Sequence, residues 1–328
     1  MKILFIGGSG NISSVVTEKL IKKGHDVFLL NRGITSSEGV GAKLIQADIN
    51  DYSGVKALTE KENWDIVVNW IAFTEKDVER DIQLFKGKTK QYIFISSASV
   101  YQKPPSTPFI TESTPLCNPY WQYSRDKIAC EERLIREYRS YDFPVTIVRP
   151  SHTYNTVIPV AIWGWKEYTI IDRIKKGKEI VVHGDGTSLW VLTHAEDFAK
   201  GFIGLAGLPQ AIGHAFQITS DEVLSWNQIY NIIGNTIGYE PNIVHIPTDF
   251  IIKINPELTG NLMGDKAHSV IFDNSKIKSF VPGYTAIIPF SKGIKETIRW
   301  FEEDKDRMKI NPEINNNFDK LIKAYKKG

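Results

Sequence analysis

The chain reads as an α/β protein: a doubly wound parallel sheet with helices on both faces and a smaller lobe toward the C-terminus. Three observations predict this. Short apolar runs alternate with helical patterns up to residue 148, a glycine-rich turn follows the first run directly, and the regularity fades after Pro150. Strands buried on both faces appear as unbroken apolar runs, and strand–helix alternation builds a parallel sheet.

In order, strands are expected at 3–6, 27–30, 43–45, 66–68, 92–95 and 145–148, with helices around 12–23, 52–60, 75–87 and 121–138. The first run stops at glycines and lacks a cleavage region, so it is a strand and not a secretion signal. The first two strands and their helix fill one βαβ unit, about 30 residues. Beyond Pro150, Trp163, Trp165, Trp190 and Trp226 are scattered through mixed helix and short strand. That pattern suits a lobe partly interleaved with the sheet and capping the carboxyl ends of its strands. Residues 1–165 are therefore expected to form the first domain and 166–328 mainly the lobe. Phe318, Leu321, Ile322 and Tyr325 recur at helical spacing, which implies a terminal docking helix.

Composition bounds the function. With 328 residues, 42% hydrophobic and 24% charged, and a formal net charge of +2, the chain is an ordinary globular protein. Such a balance gives no electrostatic footprint for nucleic acid or for a membrane surface. No stretch approaches the roughly 20 apolar residues of a membrane span. Cys117 and Cys130 read as reduced thiols, so a cytoplasmic location is expected. His152, His183 and His194 have no metal-ligand spacing, and no metal is expected.

Two local patterns carry chemistry. In Tyr123-Ser-Arg-Asp-Lys127 the tyrosine and lysine stand at i and i+4, on one face of a helix. A nearby ammonium favours the phenolate and makes Tyr123 a usable general base. The second pattern is Gly7-Gly-Ser-Gly10-Asn11-Ile12-Ser13, with Gly7, Gly10 and Ser13 in the small positions of a turn entering a helix. Small residues let backbone amides and the positive end of the helix approach a pyrophosphate, which marks a Rossmann-like dinucleotide site. At the end of the second strand, Asn31-Arg32 replaces the acidic residue usual for NAD; the arginine can pair with a 2′-phosphate, so NAD(P) is expected with a lean to NADP. Asp48 and Ile49 suit the adenine edge and face. Asn69-Trp70-Ile-Ala72-Phe73 would line the path of the ribose and nicotinamide.

With Ser96-Ser97-Ala98-Ser99-Val-Tyr101 ahead of Tyr123, and with Val148-Arg-Pro150, His183-Gly-Asp-Gly-Thr187 and Thr193-His-Ala-Glu-Asp197 behind it, the chain resembles an extended short-chain dehydrogenase/reductase of the NAD-dependent epimerase/dehydratase family. The resemblance implies that Ser97, Tyr123 and Lys127 are catalytic: Tyr123 as base, Lys127 holding the nicotinamide ribose, Ser97 steadying the reacting oxygen. It adds Pro150, Tyr123 and Lys127 to the cofactor contacts, and Ser97, Ser99, His152 and Trp190 to the substrate side. Ser96, one step along the strand, should face away.

Three departures bear on substrate. Trp190 stands where nucleotide-sugar enzymes of this family carry a pyrophosphate-binding arginine, although Arg173 is placed to compensate. His152 replaces a substrate-binding asparagine, and Asn155 the glycine that follows Tyr154. Ala98 and Ser99 replace the Asp-Glu pair of a 4,6-dehydratase, which disfavours dehydration. The expected activity is a redox-neutral sugar epimerase acting on a small-molecule substrate, with a nucleotide sugar among the candidates. Alternatives are an NADP-dependent carbonyl reductase of a non-nucleotide substrate and a non-catalytic RNA-binding relative, the last disfavoured by the intact triad. The resemblance also implies a homodimer through the helices near 75–87 and 121–138.

Overall fold

The computed structural model describes residues 1–33 and 41–327. Its centre is one parallel sheet of seven strands: β1 (Lys2–Ile6), β2 (Asp26–Asn31), β3 (Lys43–Gln46), β4 (Trp64–Asn69), β5 (Thr89–Ile95), β6 (Val145–Pro150) and β7 (Ala215–Ile218). The spatial order is β7-β6-β5-β4-β1-β2-β3. In β1, Ile3 and Phe5 face one side and Leu4 and Ile6 the other, and all four are fully buried. That period of two, apolar on both faces, is why the strand is an unbroken apolar run.

Helices α1 (Ser13–Lys22) and α5 (Ala195–Leu205) cover the Ile3/Phe5 face through Val16, Leu20, Phe198 and Phe202. The opposite face is covered by α2 (Tyr52–Thr59), α3 (Glu75–Phe85) and α4 (Gln122–Tyr141), through Val55, Ile82 and Leu134. Local chemistry sets where these begin. Asp51 caps α2 by accepting from the Gly54 amide, and Thr74 with Asp77 forms a capping box on α3. Chain order reverses between β1 and its neighbour β4, so a crevice opens at their carboxyl ends, beside the Gly7–Gly8 turn.

Strand β7 and helix α5 come from the second half of the chain, which is the interleaving the sequence suggests. No apolar run announces β7, because its central residue is Gln217. This side chain is fully buried, donating to the carbonyls of Ile110 and Asp273 and accepting from the Tyr101 hydroxyl. The lobe has its own core, in which Trp190 and Trp226 stack with Tyr154, Tyr230 and Phe290 nearby. The terminal helix Pro312–Tyr325 buries Phe318, Leu321 and Ile322 on that core, as expected. Among the described residues, no helix is long and apolar enough to cross a membrane.

Candidate active site

Tyr123 lies in the first turn of α4, between Trp121 and Phe73, whose ring centroids are 5.0 Å and 6.2 Å from its own. One helical turn on, Lys127 is 2% exposed, and its ammonium donates to the carbonyls of Ala72 (2.6 Å) and Ile95 (2.8 Å). These carbonyls lie just beyond β4 and at the end of β5, so the lysine ties α4 to the crevice. Two of its three N–H groups are engaged, and the third remains for a ligand. Burial lowers the Lys127 pKa to about 8, so at neutral pH the ammonium is still largely charged.

Burial raises the Tyr123 phenol above its ordinary value, a hydrogen bond with Ser97 being the opposing influence. The lysine's charge points at backbone carbonyls, 5.8 Å from the tyrosine ring centre.

Ser97 is ordered by a relay that the sequence does not reveal. The Ser124 hydroxyl donates to Ser99 Oγ at 2.8 Å; Ser99 Oγ lies 3.0 Å from Ser97 Oγ, and the Ser99 amide donates to Ser97 Oγ at 3.2 Å. Either hydroxyl of the Ser97–Ser99 pair can be the donor; with Ser99 donating, the Ser97 proton is left to point outward. Ser99, 3% exposed, thus positions Ser97 from behind. Ser96 faces the other way as expected, bonded to Glu131 at 2.5 Å, and Glu131 pairs in turn with the buried Arg149.

At the dinucleotide turn, Gly7 and Gly8 have φ of +91° and +101°, the left-handed region that favours glycine. The Gly10 amide donates to Ser13 Oγ at 2.9 Å, tightening the entry to α1. Asn11 spends its side chain on the lobe, donating to the Thr153 carbonyl and accepting from the Thr156 amide, so only its backbone is left for a phosphate. Ile12 packs against the core under α1. Asn31 Oδ1 accepts from Gly33, while its Nδ2 is buried without a partner among the described residues; Arg32 beside it is exposed. A buried donor with no acceptor among the described residues, at the end of β2 and beside a turn held in positive φ, is compatible with the ribose end of a dinucleotide.

The remaining expected residues separate. Asp48 is exposed and accepts from the Asn50 amide, and Ile49 is buried in the core. The Trp70 ring turns into the sheet core against Phe5 and Phe202, leaving Ile71 and Phe73 exposed at the crevice. Ala72 is buried and contributes its carbonyl, while Pro150 is half-buried at the end of β6. Trp190 is 1% exposed, stacked on Trp226, and donates from Nε1 to His152 Nδ1 at 3.3 Å. Burial holds His152 neutral, well below the usual imidazole range. Arg173 cannot compensate for the missing arginine: it is 1% exposed and saturated by the Glu179 carbonyl, Asn315 and Asp319. His183 and His194 bond separate partners, the Lys266 carbonyl and the Glu196 amide.

Sequence reasoning also passed over the lobe side of the site. Segment 259–266, a short helix running into a π-turn at Leu262–Lys266, lies over Trp121. Added to Gly260, a Cβ would sit 2.3 Å from the Trp121 ring, so glycine is what lets the segment approach. Asn118 clamps it by donating to the carbonyls of Ser99 (2.8 Å) and Gly264 (2.7 Å).

The description "NAD dependent epimerase/dehydratase family" matches residues 3–231. Among curated proteins, the chain is 27% identical over 267 residues to the chloroplast stem-loop binding protein of 41 kDa b of Arabidopsis thaliana, covering 76% of this chain and 67% of that one. It is 25% identical over 330 residues to the UDP-N-acetyl-alpha-D-glucosaminuronate decarboxylase of Bacillus cytotoxicus, covering 92% and 98%. Among solved structures, the dTDP-glucose 4,6-dehydratase of Bacillus anthracis, in complex with NAD, superposes with a TM-score of 0.75 at 18% identity, covering 93% of this chain and 98% of that one. With a family match over most of its length and a seven-stranded parallel sheet of the same fold, the chain belongs to the NAD-dependent epimerase/dehydratase family of enzymes.

Proposed function

We propose that the protein is a sugar epimerase-like oxidoreductase in which Tyr123 takes the proton of a substrate hydroxyl as hydride leaves the same carbon. The observation that carries this reading is the convergence of Ser97, Tyr123 and Lys127 at the carboxyl ends of β4 and β5, beside the glycine turn. A bound NAD or NADP supplies the hydride acceptor. The Gly7–Ile12 amides and the N-terminus of α1 hold its pyrophosphate, Asn31 and Arg32 its adenosine ribose, and the free N–H of Lys127 the ribose near Tyr123. Arg32 together with a neutral Asn31 favours NADP over NAD. Ser97 donates to the reacting oxygen and stabilises its developing charge. Neither Ala98 nor the engaged Ser99 offers the acid and base that an elimination needs, so water loss is disfavoured.

Residues 1–165 then form the dinucleotide-binding domain and 166–328 mainly the substrate lobe, with α5 and β7 returning to the sheet. The decarboxylase relative is named for a UDP-sugar, which supports a nucleotide sugar as substrate. A reductase of a non-nucleotide substrate is the second reading, favoured by the buried Trp190 and the saturated Arg173. The stem-loop binding relative supports a third, RNA-binding reading. A cytoplasmic homodimer through α3 and α4 completes the proposal, and sedimentation as a monomer at micromolar concentration would remove the dimer.

The test is to denature the purified protein and identify any released dinucleotide by mass spectrometry. Near-stoichiometric NAD+ or NADP+ supports a recycling epimerase, and an empty but NADPH-binding site supports the reductase. A protein that binds RNA and no dinucleotide refutes both. Tyr123→Phe should then reduce turnover of UDP-hexose probes at least about a hundredfold with dinucleotide binding retained.

A further inference from the structure

We propose that Phe73 is a positioning residue for the proposed reaction: together with Phe94 it holds the Lys127 ammonium against two aromatic rings, where its remaining N–H can meet a dinucleotide. This rests on the proposed reading that Lys127 serves a bound dinucleotide beside Tyr123.

Phe73 follows β4 on the rim of the crevice and is 48% exposed, whereas Phe94 is fully buried within β5. A single exposed aromatic calls for no account by itself. This one touches two of the three residues proposed as catalytic: its ring centre is 6.2 Å from that of Tyr123 and 4.8 Å from Lys127 Nζ. Phe94 lies at the same 4.8 Å from the ammonium, and the Tyr123 ring centre at 5.8 Å. A cation over a ring within about 6 Å is attracted by the ring quadrupole, and more strongly where water is excluded. At 2% exposure, Lys127 meets that condition.

The backbone sets the ring in place. The amides of Phe73 and Thr74 donate to Asp77 Oδ2 at 3.0 Å and 2.9 Å, so the cap that starts α3 also fixes Phe73. Ahead of it, the Ile71 amide donates to Asn69 Oδ1 at 2.8 Å, and Ala72 gives its carbonyl to the ammonium. Consecutive residues thus supply a carbonyl and a ring to one lysine head.

Charged groups around Lys127 are engaged elsewhere. Glu131 pairs with Arg149, and Asp77 with Arg80 as well as with the two amides. Cys130 is a neutral thiol, burial pushing it up to about 12, and burial also raises Tyr123. Among the described residues Lys127 makes no ion pair, so two carbonyls and two rings stand where a carboxylate would. Desolvation lowers its pKa to about 8, which leaves the charge sensitive to the loss of one ring.

The test is carbon NMR of the full chain labelled at lysine Cε, titrated from pH 6 to 10.5, with the Lys127 resonance identified by its absence from Lys127→Met. In Phe73→Leu, which keeps apolar bulk and lacks the quadrupole, the Lys127 midpoint should fall by about half a unit to one unit. Phe73→Tyr keeps a ring and should titrate as the parent does. Because Phe73 is half-exposed, both variants should fold. NADPH affinity, read by fluorescence over the same range, should weaken at correspondingly lower pH in Phe73→Leu. An unchanged midpoint in Phe73→Leu, or the same fall in Phe73→Tyr, overturns the inference. A midpoint that moves while NADPH affinity keeps its pH dependence leaves the aromatic hold on Lys127 standing and refutes the reading that this lysine serves the dinucleotide.

Discussion

Replacing Lys127 by Met should change how stability depends on pH, and the sign follows from burial. The folded-state pKa of Lys127 is lowered from 10.5 to about 8, with desolvation as the leading cause. A lysine whose folded pKa lies below its unfolded one binds fewer protons when folded, so stability rises with pH between the two values. Below pH 8 the folded protein carries the full penalty of a desolvated ammonium; above 10.5 none remains. A shift from 10.5 to about 8, at about 1.4 kcal/mol per unit, gives a penalty of about 3 kcal/mol. Methionine preserves the stem and removes the titration, at the expense of two carbonyl partners whose loss does not vary with pH. Urea unfolding of both proteins from pH 7 to 10.5 isolates the effect, because other titrating groups cancel in the difference. Relative to Lys127→Met, the parent should gain about 3 kcal/mol across that range. Parallel stability curves would mean that the ammonium is not desolvated, and the account of the site would fall with it.

Ser99→Ala should remove the hydroxyl partner of Ser97 while keeping the residue-99 amide that donates to it, and lower turnover roughly tenfold; unchanged dinucleotide affinity in the same preparation would separate this from a folding defect. Glu131→Ala strands the buried Arg149 guanidinium and should cost about 3–5 kcal/mol in urea unfolding, whereas a neutral result would mean that water reaches Arg149. Arg32→Ala should weaken NADP about tenfold, by loss of one charged contact, with little effect on NAD, as read by fluorescence titration with each reduced dinucleotide. Equal losses for both would assign Arg32 to the shared ribose and remove the lean to NADP.

What could be read from the sequence is what the chain fixes locally. Strands β1, β2, β4, β5 and β6 carry apolar runs because helices cover both faces of the sheet there, whereas the edge strand β3 is largely exposed. The glycine turn is visible because only glycine holds the φ values at Gly7 and Gly8, and Tyr123 and Lys127 because helical spacing joins them. Strand β7 carries no apolar run, because Gln217 stands within it and is buried through Ile110, Asp273 and Tyr101, all distant in sequence, which meet its amide.

The lobe side of the site is hidden for a similar reason. The segment carrying Lys266 rests on Trp121 through Gly260, and Trp121 rests on Tyr123. Asn118 links the same segment to the carbonyl of Ser99, whose hydroxyl orders Ser97. The lobe therefore reaches the proposed base through Trp121, and Ser97 through Asn118 and Ser99. The lobe segment and the proposed catalytic residues are thus joined by packing between parts of the chain distant in sequence, which is why a local pattern reveals Tyr123 and Lys127 and conceals the segment that rests on them.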